Sequence, residues 1–510
     1  MLSKQDADML IQSFLRRYRS NYFISNLKGI VLDTNKDLRA TSPFLHAVCC
    51  LHGMVSEEEY SVSPLHREVY EEVRRKLGQV LLATPLPLEE LLAISAMCLF
   101  ASAPSVGPEY IDSWVLSGHC AQQAMLTINF AKISANIKSG DASLEDQKDV
   151  RLWGSICLNH LQWAAATGRP SFLPPHYTAY CLLTLDIGQA TIDDAMNVAE
   201  IMLYSSIVAP SERLLSLSTE GDCPEIEAWS QKWKHLFNMP QSICLKLGYH
   251  IAYLILAKRA LNISRANHSH ASRHMSTEED FTNSKDKPSG STNADRDTER
   301  TAHPGHRPTM FEVMVVDSAI LVLQTLSRMS DNQTRCLPVF YSVCITYSIL
   351  VVSHYRHSSS EISDESLLGL LTRLKALSAD AKMSSAMKFA IDKAMTKIAT
   401  RSHKPICQQC RCYHTQYPCG NTDVIPQDLD SLRDTSHPQK LEIAGVEHDK
   451  DRYDAGREGA PSDKPTDFQP GNRHAGLWED LPWDVRNCFE DFFSVGGIDH
   501  SKLEQMVPCV

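Results

Sequence analysis

Apolar residues in positions 1–262 recur at intervals of three and four almost throughout. One stripe is formed by Leu91, Leu92, Ala96 and Leu99, a second by Trp114, Gly118, Ala121, Met125 and Ile128, and a third by Trp153, Cys157, Leu161 and Ala164. This spacing places apolar side chains on one face of an α-helix, and alternating strand patterns are nearly absent. The pattern therefore predicts an all-α fold. Because Gly118 and Ala121 are small, we expect a neighbouring helix to come close there.

The apolar pattern stops in residues 263–308. From Ser264 to Pro308 the chain has one Phe and one Met, and no Leu, Ile or Val. Such a segment buries too little apolar surface to offset the entropy lost on ordering it. We predict a disordered insertion here, whose five histidines belong to a solvated linker rather than to a metal site.

Helical spacing resumes in residues 309–400, in runs over 310–328, 337–357 and 366–400. Val339–Ser353 is the longest apolar stretch, but it is short for a bilayer span and contains hydroxyl groups, so a buried helix is expected. The last run alternates Leu and Ala with Lys and Arg, as a surface helix does. We therefore predict one large helical domain in two parts, 1–262 and 309–400, followed by a disordered segment over 401–475 and a C-terminal stretch over 476–510.

Composition and charge narrow the class of protein. The formal charge is −11 and 43% of the residues are hydrophobic, so no overall basic character points to nucleic acid. The first twenty residues lack an apolar core of signal-peptide length. The sixteen cysteines lie mostly within apolar runs, which is typical of buried free thiols in a reducing compartment. We expect a soluble intracellular protein with no membrane partner.

The densest cysteine cluster is "CQQCRCYHTQYPC", residues 407–419. Cys407 and Cys410 have the Cys-x2-Cys spacing of zinc ligands, and Cys412, His414 and Cys419 are candidates to complete a site. A structural zinc site usually takes its second ligand pair from across a folded loop, and no second pair follows here. We expect a loop that binds metal weakly or adventitiously, and no other cofactor.

Catalytic motifs are lacking along the chain. There is no Gly-x4-Gly-Lys-Ser/Thr, Gly-x-Gly-x-x-Gly, His-Glu-x-x-His or Gly-x-Ser-x-Gly sequence. The acidic pair Asp193-Asp194 suits the first turn of a helix capped by Thr191 or by Asp193 itself. His119, His160 and His250 occur singly on helical stripes, where packed or surface histidines are common. We expect no enzymatic activity.

Arg151–Leu173, "RLWGSICLNHLQWAAATGRPSFL", combines a helix that contains Trp153 with a sharp end at Gly168-Arg169-Pro170. Gly168 can terminate the helix and Pro170 prevents its continuation. Arg169 is held between them, able to cap carbonyl groups or to pair with a carboxylate. By geometry alone, an ordinary helix C-cap explains these residues.

In its setting this segment resembles the middle homology region of fungal zinc-cluster transcription factors, where an Arg–aromatic helix ends in Gly-Arg-Pro. Further segments similar to that region follow the same order: Ser42–Gly53, Glu90–Phe100, Asp112–Met125, Glu225–Phe237 and Leu337–Val352. The resemblance spans roughly residues 40–355, with 263–308 as an insertion. "DSWVLSGH" and "AEIMLY" are similar to regulators of secreted proteases and of nitrogen or amino-acid metabolism.

The resemblance implies an α-helical regulatory domain in a nuclear regulator of RNA polymerase II genes, with Trp153, Gly168, Arg169 and Pro170 as its regulatory motif. The target genes would be those of secreted proteases, nitrogen use or secondary metabolism. In that family a separate N-terminal zinc cluster binds DNA, usually followed by a coiled coil for homo- or heterodimerisation. Residues 1–40 contain no cysteine. Either DNA is reached through a partner transcription factor, or this sequence starts downstream of the cluster and its zinc.

The C-terminal stretch supports a regulator independently. Leu477–Phe493 interleaves the aromatic residues Trp478, Trp483, Phe489, Phe492 and Phe493 with five acids and one base. Acidic and aromatic alternation is typical of activation segments, which the transcription machinery or a coactivator binds through a groove. The alternative is a final helix that docks on the core. For the whole chain, the alternative to a regulator is a non-enzymatic helical scaffold that binds protein partners in the cytoplasm.

Overall fold

The computed structural model describes residues 2–19, 21–24, 37–61, 63–100, 111–208, 215, 217–275, 309–355, 363–380 and 385–402. Every regular element within these ranges is helical, which confirms the all-α prediction. The described residues up to Arg401 belong to one compact unit.

The three predicted stripes lie in the helices that start at Leu88, Ser113 and Leu144, and the described ranges contain fourteen long helices. They are α1 (Lys4–Arg17), α2 (Pro43–Ser56), α3 (Pro64–Val80), α4 (Leu88–Leu99), α5 (Ser113–Thr127), α6 (Phe130–Ser139), α7 (Leu144–Thr167), α8 (Ile192–Val208), α9 (Pro224–Phe237), α10 (Ile243–Met275), α11 (Met310–Ser327), α12 (Val339–Tyr355), α13 (Asp364–Asp380) and α14 (Ser385–Ser402). Shorter helical turns are Leu38–Thr41, Glu58–Ser61, Pro175–Ala179, Tyr180–Leu182, Leu183–Asp186, Pro240–Ser242 and Asp331–Arg335.

Neighbours in sequence are mostly neighbours in space. Helix α2 contacts α1, α3 and α4; α4 contacts α5; α7 contacts α4, α5 and α8; and α10 contacts α8, α11 and, weakly, α9. Helix α12 lies against α11 and also reaches α4, so the second part of the domain packs on the first. Nearly all residues of α7 from Leu152 to Thr167 are buried, which makes α7 the central helix of the packing.

At two glycines, a neighbouring part of the chain comes too close for a side chain to fit. A Cβ atom at Gly53 of α2 would lie 2.2 Å from the carbonyl oxygen of Leu10 in α1. At Gly118 of α5 a Cβ would lie 2.6 Å from the Phe172 ring and 3.2 Å from the His160 ring. Since real Cβ atoms avoid such distances, both helices need a residue without a side chain there. At Gly118 the closest group is thus the Phe172 ring, which follows α7, and the His160 ring of α7 itself comes next.

Two boundaries differ from the sequence-based expectation. Helix α10 continues to Met275, so it includes the first part of 263–308, and the rest of that segment falls outside the described residues. A helix already nucleated by packing extends at little cost through Ala, Arg and Ser. The run over 366–400, expected to form one surface helix, contains both α13 and α14. Each has its own buried stripe, including Leu371 in α13 and Ile391 in α14, and Lys375 pairs with Asp392 at 2.7 Å.

One described helix, α11, is long and apolar enough to cross a membrane by length and composition. Half of its residues are buried within the domain, where it packs between α10 and α12. Both α11 and α12, which carries the apolar stretch from Val339, therefore have the surroundings of core helices.

The cysteines of the described ranges are free thiols. Nine of the ten are buried and Cys244 is exposed. Burial raises the pKa of the Cys120 thiol to about 12, so this side chain stays protonated and unreactive at neutral pH. The sequence prediction of buried free thiols is confirmed for the nine buried cysteines and is wrong for Cys244.

Candidate functional site

The Gly-Arg-Pro sequence forms a sharp turn at the end of α7. The helix ends at Thr167, and Gly168 follows as its C-cap with a φ of 66°. That left-handed conformation favours glycine over residues with a Cβ atom. The ordinary C-cap explanation is therefore correct for Gly168, and the chain is redirected toward the N-terminus of α5.

Arg169 pairs with a carboxylate, which was one of the two roles expected for it. Its Nη1 lies 2.5 Å from Oδ2 of Asp112, and its guanidinium lies 5.0 Å from the centre of the Trp114 ring. The Trp114 indole in turn donates to the Pro170 carbonyl at 3.1 Å. Through its other oxygen, Asp112 accepts from the backbone amides of Trp114 and Val115 and so caps α5. One carboxylate thus joins the turn to the start of α5.

His160 joins the same turn to the interior. Its Nε2 accepts from the Phe172 amide at 3.0 Å, and its Nδ1 lies 3.2 Å from Oγ of Ser117. Because Nε2 is the acceptor, Nδ1 carries the ring proton and donates to Ser117. Burial lowers the pKa of His160 to about 4, so the ring is neutral at physiological pH. The Phe172 ring stacks on His160 and packs against Trp114, with centroids 5.5 and 4.8 Å apart.

We call Asp112, Trp114, His160 and residues 168–172 the turn cluster. The predicted residues Gly168, Arg169 and Pro170 all lie in it, but Trp153 does not. Trp153 precedes Gly168 by four helical turns, or about 22 Å along α7. Its indole donates to the Tyr177 carbonyl at 3.0 Å, and its ring packs edge-on against Phe130. The four residues of the predicted motif therefore occupy two places in the fold.

Asp194 forms a second polar contact, at the start of α8. Arg151 donates to both carboxylate oxygens at 2.9 and 3.0 Å, and the Tyr22 hydroxyl donates at 2.6 Å. The hydroxyl of Thr191 accepts from the Asp194 amide, so Thr191 is the helix cap and Asp193 is not. Burial opposes ionisation of Asp194, but the Arg151 and Tyr22 hydrogen bonds outweigh it and lower the pKa of the carboxyl. Through Tyr22 and Arg151, the Asp194 carboxylate connects residues 21–24 to α7 and α8.

A third polar group, which the sequence analysis did not single out, centres on Glu200 of α8. The Tyr341 hydroxyl and the Gln162 amide both donate to its Oε1, the latter at 3.0 Å. The backbone of α10 lies against the carboxylate at Gly248, where an added Cβ would be 2.4 Å from Oε1. Burial raises the pKa of Glu200 to about 7. In the sequence it was visible only as a glutamate among the apolar residues of "AEIMLY".

Arg259 of α10 is also buried, with 4% of its surface exposed. It donates to the Ile207 carbonyl at 3.1 Å and to the Ala165 carbonyl at 2.6 Å. These carbonyls lie in the last turns of α8 and α7, where backbone acceptors lack helical partners and a cation is favoured. Burial lowers the pKa of Arg259 to about 10. One guanidinium therefore joins three helices.

The remaining predicted sites fall outside the described residues. These are the weak metal candidates Cys407, Cys410, Cys412 and Cys419 and the activation-segment residues Trp478, Trp483, Phe489, Phe492 and Phe493. Within the described ranges, no three His, Cys, Asp or Glu side chains are placed to hold a metal ion. The polar clusters seen there join neighbouring helices to one another.

Comparisons with known proteins agree with the sequence resemblance. Residues 1–282 match the family model described as the middle domain of the transcriptional activator of proteases prtT. A transcriptional activator of proteases prtT from Aspergillus niger is 29% identical over 274 residues, covering 52% of this chain and 42% of that protein. The Aspergillus oryzae protein of the same name is 30% identical over 234 residues, covering 44% and 34%.

A more distant relative is an uncharacterised transcriptional regulatory protein of Schizosaccharomyces pombe, 21% identical over 264 residues, which cover 51% of this chain and 48% of that protein. The chain thus spans less than half the length of these curated relatives. No solved structure matches it.

Proposed function

This chain belongs to the family of the prtT protease-activator middle domain, and we propose on that premise that it regulates transcription by RNA polymerase II. In this proposal the helical domain controls the activity of the protein, and genes for secreted proteases are the first candidates as targets, with genes of nitrogen or secondary metabolism next. The family match carries the proposal because it covers more than half of the chain and includes the turn cluster.

The proposal assigns separate tasks to separate parts of the protein. The described helices form a packed domain whose polar contacts join helices, which suits a domain that relays a signal. Leu477–Phe493, with its aromatic residues and acids, would contact a coactivator in the nucleus. DNA would be reached directly or through a partner transcription factor, as a homo- or heterodimer. Zinc would be bound by a cluster that binds DNA, or by residues 407–419. The scaffold alternative is not favoured, because the relatives are named as regulators of transcription.

The activation role is tested by tethering. Residues 402–510 are fused to a heterologous DNA-binding domain, and reporter transcription is measured at matched protein levels. We expect activation, which deletion of Trp478–Phe493 should abolish. A fusion of residues 402–475 alone is the control and should be inactive. An inactive 402–510 fusion that accumulates normally would remove the activator role from this segment.

The target genes are tested by deleting the gene in its host and measuring transcripts of secreted proteases under nitrogen limitation. We expect those transcripts to fall and to recover when the intact gene is restored. Unchanged transcripts, or a protein confined to the cytoplasm under the same conditions, would instead support the scaffold alternative.

A further inference from the structure

Glu200 lies where four helices meet. It projects from α8; Gln162 reaches it from α7, Tyr341 from α12, and the backbone of Gly248 from α10. Gln162 and Tyr341 are also in contact with each other, at 3.2 Å from Nε2 to the hydroxyl oxygen. Only 6% of Glu200 is exposed. Since Tyr341 belongs to the second part of the domain, this cluster is a polar link between the two parts.

Among the residues that the structure describes, the Glu200 carboxylate has hydrogen-bond donors but no basic partner. Within the described part of the chain, the titratable groups that face Glu200 are Tyr204 of its own helix, Tyr341 of α12 and the Cys244 thiol of α10. The Gln162 amide that completes the cluster is neutral. Arg259, the buried arginine of α10, is engaged by backbone carbonyls elsewhere. An ionised Glu200 would therefore be a buried charge supported by two hydrogen bonds alone, which is unfavourable.

Protonation removes that penalty. Burial raises the pKa of Glu200 from its usual value to about 7, and the hydrogen bonds from Tyr341 and Gln162 only partly oppose the rise. When α12 separates, water reaches the carboxyl and its pKa returns toward the ordinary value near 4.5. The packed state then binds a proton more tightly than the opened state. The stabilisation that this proton provides is therefore complete below about pH 4.5 and is lost as the pH rises through about 7.

We propose that Glu200 is a proton-responsive link that holds α12 against α7 and α8 when protonated and loosens it when ionised. The inference deepens the proposed function, on which its biological meaning rests, by naming intracellular pH as an input to the regulatory domain. Tyr341 and Gln162 set the pH at which the link changes, since both donate to the carboxylate.

Hydrogen exchange of the purified intact chain tests the link without any transcription assay. Backbone amides of α12 are followed at about pH 6 and about pH 8, with rates corrected for the intrinsic effect of pH. For a group whose pKa is near 7 when packed and near 4.5 when open, the opening constant should rise about tenfold between these conditions. Glu200→Gln should remove this rise, because a neutral amide keeps the acceptor without the charge. Glu227→Gln, at an exposed position of α9, is the matched control and should exchange like the unaltered chain.

A second variant guards against a failure of Glu200→Gln to fold. Tyr341→Phe removes one donor to the carboxylate, so the pH at which α12 loosens should move upward rather than disappear. Protection of α12 that does not change with pH in the unaltered chain would overturn the proposal. So would a pH response that survives in Glu200→Gln. Either result leaves the transcription experiments unaffected, so the two ideas fail separately.

Discussion

Replacing Arg169 by Ala should destabilise the domain measurably, through the turn cluster. The ion pair with Asp112 is about one-quarter exposed on both sides, so solvent reduces its contribution to about 0.5–1 kcal/mol. The contact with the Trp114 ring adds about 0.5–1 kcal/mol. We therefore expect Arg169→Ala to lower the free energy of unfolding by about 1–2 kcal/mol. Arg169→Lys should retain part of this, because lysine keeps the charge but lacks the planar guanidinium.

Urea unfolding followed by tryptophan fluorescence measures the change, with the slope of the transition confirming that the same surface unfolds. Arg16→Ala is the control, since Arg16 is exposed near the end of α1 and its loss should cost less than about 0.5 kcal/mol. A double-mutant cycle with Asp112→Asn isolates the ion pair, because asparagine preserves the helix cap. The cycle should give a coupling of about 0.5–1 kcal/mol. Equal stability and equal reporter output of the Arg169→Ala and Arg16→Ala proteins would refute the reasoning.

Four further substitutions test other contacts. Burial lowers the pKa of His160 to about 4, so the unaltered chain should lose about 2 kcal/mol of stability from this residue as the pH falls from about 7.5 to about 5. His160→Gln should lose about 2 kcal/mol less over the same range. An equal dependence of stability on pH in the two proteins would contradict the buried, neutral state of His160. Gly53→Ala should lower the free energy of unfolding by about 3 kcal/mol or more, because the added methyl group would clash with the Leu10 backbone. Gly78→Ala, where the space is open, should instead stabilise α3 by about 0.5–1 kcal/mol. Thermal unfolding that ranks the two variants the other way would refute this. Arg259→Lys should lose about 2 kcal/mol in chemical denaturation, because a single ammonium nitrogen lacks the two separate nitrogens with which the guanidinium reaches the Ile207 and Ala165 carbonyls. Full stability would show that the carbonyls find other donors.

Local sequence signals predicted the local structure. Gly168 ends α7 as its position before Arg169-Pro170 indicated, and Thr191 caps α8 as one of two candidates. These features depend on residues within one turn of each other, so spacing alone reveals them. The partner of Arg169 lies 57 positions earlier in the chain. Only packing brings Asp112 there, and no periodicity encodes it.

The surroundings of Glu200 could not be predicted from the sequence either. In "AEIMLY" a glutamate among apolar residues looks like the solvent-facing position of an amphipathic helix, yet α8 is covered on several sides by α7, α9 and α10. Its two donors come from residues 38 and 141 positions away. The glutamate was therefore visible in the sequence, but its burial and its partners followed only from the tertiary arrangement.

Helices α10 and α11 lie along one another although residues 276–308 separate them in the chain, and Arg265 of α10 reaches Glu312 of α11 at 2.8 Å. This contact lies ten residues before the end of α10 at Met275 and two residues after the start of α11 at Met310. Because α10 and α11 are each packed within the domain, we expect a fluorescent reporter or affinity tag inserted between residues 276 and 308 to be tolerated. Cleavage within that stretch should likewise yield two fragments that remain associated, which makes it a natural seam for a split-protein design.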